Sequence, residues 1–209
     1  MVIRPIVVGP LQENCYVLAD EAAKEAIVVD PGDEPDRILD VVGKLGLSVR
    51  LIVCTHGHFD HVGAVVDIKK ETGAPVLIHH DDMFLYTAAN SAGALWGFEV
   101  EPQPESDGFL KEGDTLSFGG LTMTVMHTPG HSPGCICLYG NGTLISGDTL
   151  FAGSVGRTDL PGGDMNKLKQ SFRRLMSLPE ETQVFAGHGE SSTIGFEKRE
   201  NMFADEFMS

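Results

Sequence analysis

The segment Thr55-His56-Gly57-His58-Phe59-Asp60-His61 follows directly on the apolar run Val49-Arg50-Leu51-Ile52-Val53-Cys54. Four potential metal ligands, His56, His58, Asp60 and His61, therefore stand within six residues at the end of what reads as a buried strand. A core made of these side chains is a poor choice. Each buried imidazole needs a hydrogen-bond partner and the carboxylate needs a counter-charge. One divalent cation, or two, answers all of those needs. The rest of the chain then has to supply the missing ligands.

At 209 residues and 42% apolar content, the chain is expected to form one domain spanning residues 1–209. No apolar run approaches the length of a membrane span, and the start Met1-Val2-Ile3-Arg4-Pro5 lacks a signal-peptide layout. The formal charge of −15 repels phosphate backbones, so a nucleic-acid partner is not expected. Lys and Arg are too few for a polybasic membrane patch. The four cysteines, Cys15, Cys54, Cys135 and Cys137, form no spaced framework. They read as reduced, buried thiols of a cytoplasmic protein. Cys135 and Cys137 share one side of a strand but have no third soft ligand nearby.

The pattern alternates β-rich and helical runs. Strands are expected at Ile3–Val8, Cys15–Leu18 and Ala26–Val29, ending in the turn Asp30-Pro31-Gly32-Asp33. A helix follows at Pro35–Leu45, where Ile38, Leu39, Val41, Val42 and Leu45 have helical spacing before Gly46. Leu51–Cys54 reads as a strand, Asp60–Thr72 as one helix, Val76–Ile78 as a strand and Asp81–Ala89 as a helix. Residues 90–112, with the single Trp96, read as a long lid-like loop. A second block offers strands at Thr115–Phe118, Leu121–His127, Cys135–Tyr139 and Thr143–Ser146, the last two joined by an Asn141-Gly142 hairpin turn. A helix at Met165–Ser177, a strand at Gln183–Ala186 and a helix from about Gly195 complete the chain. The result is an α/β protein in two similar halves. Two sheets face to face with helices outside is the architecture that order implies.

Three more turns carry candidate ligands. They are His127-Thr128-Pro129-Gly130-His131, Ser146-Gly147-Asp148-Thr149 and Ala186-Gly187-His188-Gly189. Each candidate stands just past a strand and beside glycine, which lets the backbone turn sharply and approach closely. Ligands at strand ends converge on one sheet edge. One such turn alone is an ordinary turn; the cluster at 56–61 needs completing, and that changes the weighting. Five of the eight histidines are the candidate ligands of these motifs. His79-His80 reads as a surface or turn pair, and His127 as a structural neighbour of His131.

Thr-His-Gly-His-Phe-Asp-His, followed in order by His131, Asp148 and His188, resembles the metallo-β-lactamase superfamily across essentially the whole chain. The resemblance implies a four-layer αββα sandwich with two divalent ions, zinc foremost and iron or manganese as alternatives. It implies one ion held by His56, His58 and His131, another by Asp60, His61 and His188, and Asp148 bridging them. Within the superfamily, Gly147 to Asp159 (Gly-Asp-Thr-Leu-Phe-Ala-Gly-Ser-Val-Gly-Arg-Thr-Asp) is similar to the glyoxalase II branch, the hydroxyacylglutathione hydrolases, in its short bacterial form. Two features depart from the longer enzymes of that branch. Their C-terminal helical domain, which brings basic residues to glutathione, has no counterpart before Ser209. Their Tyr two residues after the last metal His is Glu190 here. Arg157 matches a Lys that contacts the glutathione portion in the longer enzymes; the alternative reading is a structural salt bridge to Asp159 or Asp164.

The activity so implied is hydrolysis of a small thioester such as S-lactoylglutathione. Two close cations hold a bridging water, lower its pKa and polarise the carbonyl. Asp60 would orient that water or take its proton. The rival is a mononuclear-iron persulfide dioxygenase, with His56, His131 and Asp148 as a facial triad; such enzymes carry a similar Gly-Arg-Thr-Asp element. A lactonase or other ester hydrolase of the superfamily is the further alternative.

Overall fold

The computed structural model describes residues 1–209. Two six-stranded mixed sheets lie face to face. The first contains β1 (Val2–Val8), β2 (Glu13–Asp20), β3 (Glu25–Val29), β4 (Ser48–Val53), β5 (Val76–His79) and β6 (Gly108–Leu110), side by side in that order. Its first three strands are antiparallel and the rest run parallel from β3 to β6. The second contains β7 (Thr115–Phe118), β8 (Leu121–His127), β9 (Ile136–Gly140), β10 (Thr143–Gly147), β13 (Gln183–Ala186) and β14 (Ser192–Thr193), with β10 parallel to β13. A small hairpin, β11 (Leu150–Phe151) and β12 (Ser154–Val155), follows β10.

Three apolar layers hold this together, and the pleat of β2 shows why. Cys15, Val17 and Ala19 pack with residues of α1 (Pro35–Leu45), α3 (Val65–Thr72) and α4 (Met83–Leu95). Tyr16 and Leu18, on the other face, pack between the sheets against Val125, Ile136 and Leu138. Side chains alternate faces along a strand, so a strand covered on both sides reads as an unbroken apolar run. The third layer joins the outer face of the second sheet, through Cys137, Leu144 and Val184, to Leu168 and Phe172 of α5 (Met165–Leu175). Ile194 of α6 (Ile194–Glu200) and Phe207 of α7 (Ala204–Met208) complete that layer. This is the four-layer αββα sandwich. Each large aliphatic side chain so buried contributes about 1.5–3 kcal/mol.

Several elements differ from the sequence expectation. The helix expected over Asp60–Thr72 is two, α2 (Phe59–Val62) and α3, broken at Gly63-Ala64. The Pro31-Gly32 turn presses into that break: the Ala64 N–H donates to Pro31 O at 2.9 Å. A tertiary contact thus displaces a helical hydrogen bond. The lid-like loop expected over 90–112 is shorter. Helix α4 continues to Leu95 because its small residues pack, with Ala89 and Gly93 buried, and β6 pairs in parallel with β5. Trp96 stands exposed at the helix end. The C-terminal helix divides at Asn201 into α6 and α7. The Asn141-Gly142 hairpin forms as expected, with φ of 53° and 72° at its two central residues. All four cysteines are free and buried.

Candidate metal centre

The ends of β3, β4, β8, β10 and β13 lead into the turns that carry the conspicuous polar residues. His56 and His58 follow β4, and His58 is the residue before α2, which carries Asp60 and His61. His131 lies in the β8–β9 connection, Asp148 just beyond β10 and His188 just beyond β13. Backbone had to come close for these turns to meet. A Cβ on Gly57 would stand 2.7 Å from Tyr86 N on α4, and one on Gly187 would stand 2.2 Å from Asp148 Oδ1. Only glycine leaves room at either place.

The structure brings all seven sequence-derived candidates together, in two groups. His56, His58 and His131 place donor atoms within 4.8 Å of one another, and so do Asp60, His61 and His188. Asp148 lies between the groups. Its Oδ1 is 3.4 Å from His61 Nε2, and its Oδ2 is 3.6 Å from His131 Nε2 and 3.8 Å from His188 Nε2. His58 Nδ1 faces His131 Nε2 at 2.9 Å. His56 Nε2, His61 Nε2 and Asp148 Oδ1 are buried with no hydrogen-bond partner. Orphaned polar atoms at such a focus are costly in a protein interior. Divalent cations fit them: the donor set is imidazole and carboxylate without thiolate, which suits zinc, iron or manganese.

The second ring nitrogen of three of the histidines, His131, His188 and His61, is held in place. His131 Nδ1–H donates to the backbone O of Arg157 at 2.7 Å, and His188 Nδ1–H donates to Leu11 O at 3.1 Å. His61 Nδ1 meets Asp30 Oδ2 at 3.0 Å. Such contacts select the tautomer and aim the free nitrogen. Asp30 also accepts from Thr55 N and Thr55 Oγ1, both at 2.6 Å. Asp82, fully buried, joins the two ligand-bearing turns. It accepts from Gly57 N at 2.9 Å, Ser132 Oγ at 2.6 Å and Gly134 N at 2.5 Å. Sequence reasoning read Asp30 as part of a turn and Asp82 as part of a helix. Asp30 does carry the same signal as the candidate ligands, an acid immediately after an apolar strand. Asp82 carries none, because its partners lie 25 to 52 residues away.

Charge divides the groups. Burial and the neighbouring imidazoles hold His56 well below the usual histidine range. Burial and His131 hold His58 down at about 4. In the other group burial opposes the charged imidazole of His61, but Asp148 and Asp60 outweigh it and push His61 up. His188 is likewise raised, burial being outweighed by its hydrogen bond to Asp60 and by Asp148. Burial also opposes ionisation of Asp148, yet His61, His131 and His188 bring its carboxyl well below the usual range.

A cavity of about 140 Å³ borders Asp60, walled by Leu11, Phe59 and Phe98 and carrying Glu13 and Asp33. Glu13 is buried with neither oxygen paired, 3.7 Å from His61 Nδ1, and burial raises its carboxyl well above the usual range. Arg157 is exposed and forks onto Asp159 through two 2.6 Å hydrogen bonds. His80 is exposed, whereas His79 is half-buried and stacks on His127. The pair does lie where β5 ends in a turn, as the sequence reads, but the His79 ring packs on His127 of the second sheet.

The sequence profile of the Metallo-beta-lactamase superfamily matches residues 8–188. The chain belongs to that superfamily. It is 38% identical to the "Probable metallo-hydrolase YqgX" of Bacillus subtilis, over 98% of both chains. It is 36% identical to "Hydroxyacylglutathione hydrolase GloC" of Haemophilus influenzae, over 97% of this chain and 98% of that one. Among solved structures it is similar to the BLEG-1 B3 metallo-beta-lactamase, with a TM-score of 0.90, 38% identity and coverage of 97% and 99%. TTHA1623 in a di-iron-bound form gives 0.89, 44%, and 96% and 99%. ETHE1 from Myxococcus xanthus gives 0.82, 28%, and 99% and 85%. The fold and the metallo-hydrolase kinship agree with what the sequence implies. No helix is long and apolar enough to cross a membrane.

Proposed function

We propose that this superfamily member is a two-metal hydrolase of a small thioester of the S-lactoylglutathione type, acting as one domain over residues 1–209. The observation that carries the reading is Asp148, placed between two complete donor groups at 3.4 to 3.8 Å from imidazoles of both. A single ion would leave one group orphaned. In this reading His56, His58 and His131 hold one ion, Asp60, His61 and His188 the other, and Asp148 both. Two divalent cations so placed supply a water of lowered pKa and a polarised carbonyl. A TM-score of 0.89 to a protein described as di-iron-bound supports a paired centre and leaves iron beside zinc as the occupant.

The residues themselves divide the remaining work. Asp60 has an oxygen 3.3 Å from His188 Nε2 and borders the cavity, so it can orient an attacking water and accept its proton. The cavity admits the acyl or thiol arm. Arg157 stands on the His131 side, where its backbone already holds that ring. Its pair with Asp159 is solvent-exposed, so a substrate carboxylate or carbonyl can compete for the guanidinium fork. A thiolate leaves readily, so no strong general acid is needed. Four free cysteines fit a reducing, cytoplasmic setting.

Metal content per chain, measured alongside S-lactoylglutathione turnover on the same sample, tests the proposal. Two ions with thioester cleavage are expected. One iron at full activity overturns it. The second reading, a one-iron persulfide dioxygenase using His56, His131 and Asp148, fits the likeness to ETHE1. Oxygen uptake with glutathione persulfide in place of thioester cleavage would establish it. Turnover of a lactone or another ester alone would move the substrate class.

A further inference from the structure

His188 is the less enclosed imidazole of the second donor group. Its side chain is 27% exposed, against 0% for His61. It stands between Gly187 and Gly189, and Gly189 has a φ of +78° with open space where a Cβ would be. A turn with glycine on both sides of its histidine has little stiffness of its own. The ring is nevertheless aimed, with Nε2 3.3 Å from Asp60 Oδ2.

The start of β2 supplies the aim. Asn14 is 4% exposed. Its side-chain Nδ2 donates to Ala186 O at 3.0 Å and to Gly189 O at 2.9 Å. The two amide hydrogens therefore hold the turn on either side of His188. Both partners are carbonyls, which only accept, so the nitrogen of the carboxamide faces them. The Asn14 backbone N–H adds a third bond, to Gly187 O at 2.7 Å. An Asp at this place would set oxygen against two carbonyl oxygens, and a Ser has one hydrogen to give. Tyr16 Oη–H also donates to Ala186 O, at 2.6 Å, but holds only that end of the turn.

We propose, on the reading that His188 holds the second ion, that Asn14 is a positioning residue for that metal position. Its carboxamide fixes the 187–189 turn so that His188 Nε2 faces Asp60 and Asp148.

The test compares wild type, Asn14→Ala and Tyr16→Phe. Each zinc-loaded protein is mixed with a chromophoric chelator and the release of each Zn²⁺ is timed; His188→Ala marks which release belongs to the second position. Asn14→Ala should release that ion about tenfold faster and the other at the wild-type rate. Tyr16→Phe loses a buried hydrogen bond to the same segment, so it should lower Tm and leave both rates unchanged. Wild-type rates in Asn14→Ala overturn the proposal. So does equal acceleration of both ions, or the same acceleration in Tyr16→Phe, because either would mean general loosening. A wild type that takes one ion defeats the two-metal reading instead, and Asn14 is then judged in the metal-free protein. There the His188 Nδ1–H, bonded to Leu11 O at 3.1 Å, should lose its protection from exchange in Asn14→Ala; unchanged protection overturns the positioning role. Where Asn14→Ala does not fold, Asn14→Ser, which keeps one donor, takes its place with the same outcomes.

Discussion

The two donor groups of the centre lie side by side yet are electrostatic opposites. His56, His58 and His131 are all imidazoles, and burial keeps His56 and His58 uncharged. Asp60, His61 and His188 mix acid with base, and the acids keep both rings inclined to hold protons. A cation entering the first group meets lone pairs ready to bind. A cation entering the second must first expel protons. The same residue type is thus tuned in two directions by what surrounds it, and Asp148, ionised between them, couples the two.

Removing that coupling should have the largest effect. Asp148→Ala takes a donor from both groups at once. Loss of several kcal/mol of charge stabilisation corresponds to a roughly thousandfold drop in kcat/KM, with metal content falling in both positions. A variant that keeps one position full would show the groups to be independent.

The supporting carboxylates should separate the groups. Asp82→Asn loosens the turns bearing His56, His58 and His131, whereas Asp30 touches His61 itself. Each substitution should weaken metal binding by about 10–100-fold, Asp82→Asn mainly in the first group and Asp30→Asn in the second. Spectroscopy of the cobalt-substituted protein reads this directly. Equal losses in both positions from either variant would erase the distinction.

Acidification should empty the groups in order. A raised imidazole stabilises the metal-free fold below its ordinary pKa of 6.5, and that stabilisation is lost as pH rises through the raised value. Acid therefore favours the metal-free state of the second group. His58, at about 4, takes up no proton between there and neutrality, and His56 is held low as well, so these two side chains do not compete with protons over that window. The second position should weaken about tenfold per pH unit for each proton displaced. Dialysis at stepped pH with metal analysis checks this; simultaneous release contradicts it.

The smallest effect should be at the edge of the first group. Arg157→Ala should raise KM for S-lactoylglutathione about tenfold with kcat and metal content little changed. An unchanged KM with a lower Tm would show that the Asp159 pair is structural.

Much of this was legible from the chain alone. The seven candidate residues were visible because metal-competent side chains recur just past apolar strands with glycine beside them, and the two-sheet order follows from alternating β and helical runs. Both are local signals of residue type and short spacing. The tertiary structure decided what depends on distant contacts. It broke the 60–72 helix at Gly63, where the 31–32 turn intrudes, and carried α4 through the small residues 88–94. It also paired His79 with His127 across two sheets. It assigned Asp30 and Asp82 to the centre, and divided like histidines into uncharged and proton-holding groups. A side chain's identity is written locally; its hydrogen-bond partners and the field it titrates in are set by packing between segments 25 to 177 residues apart.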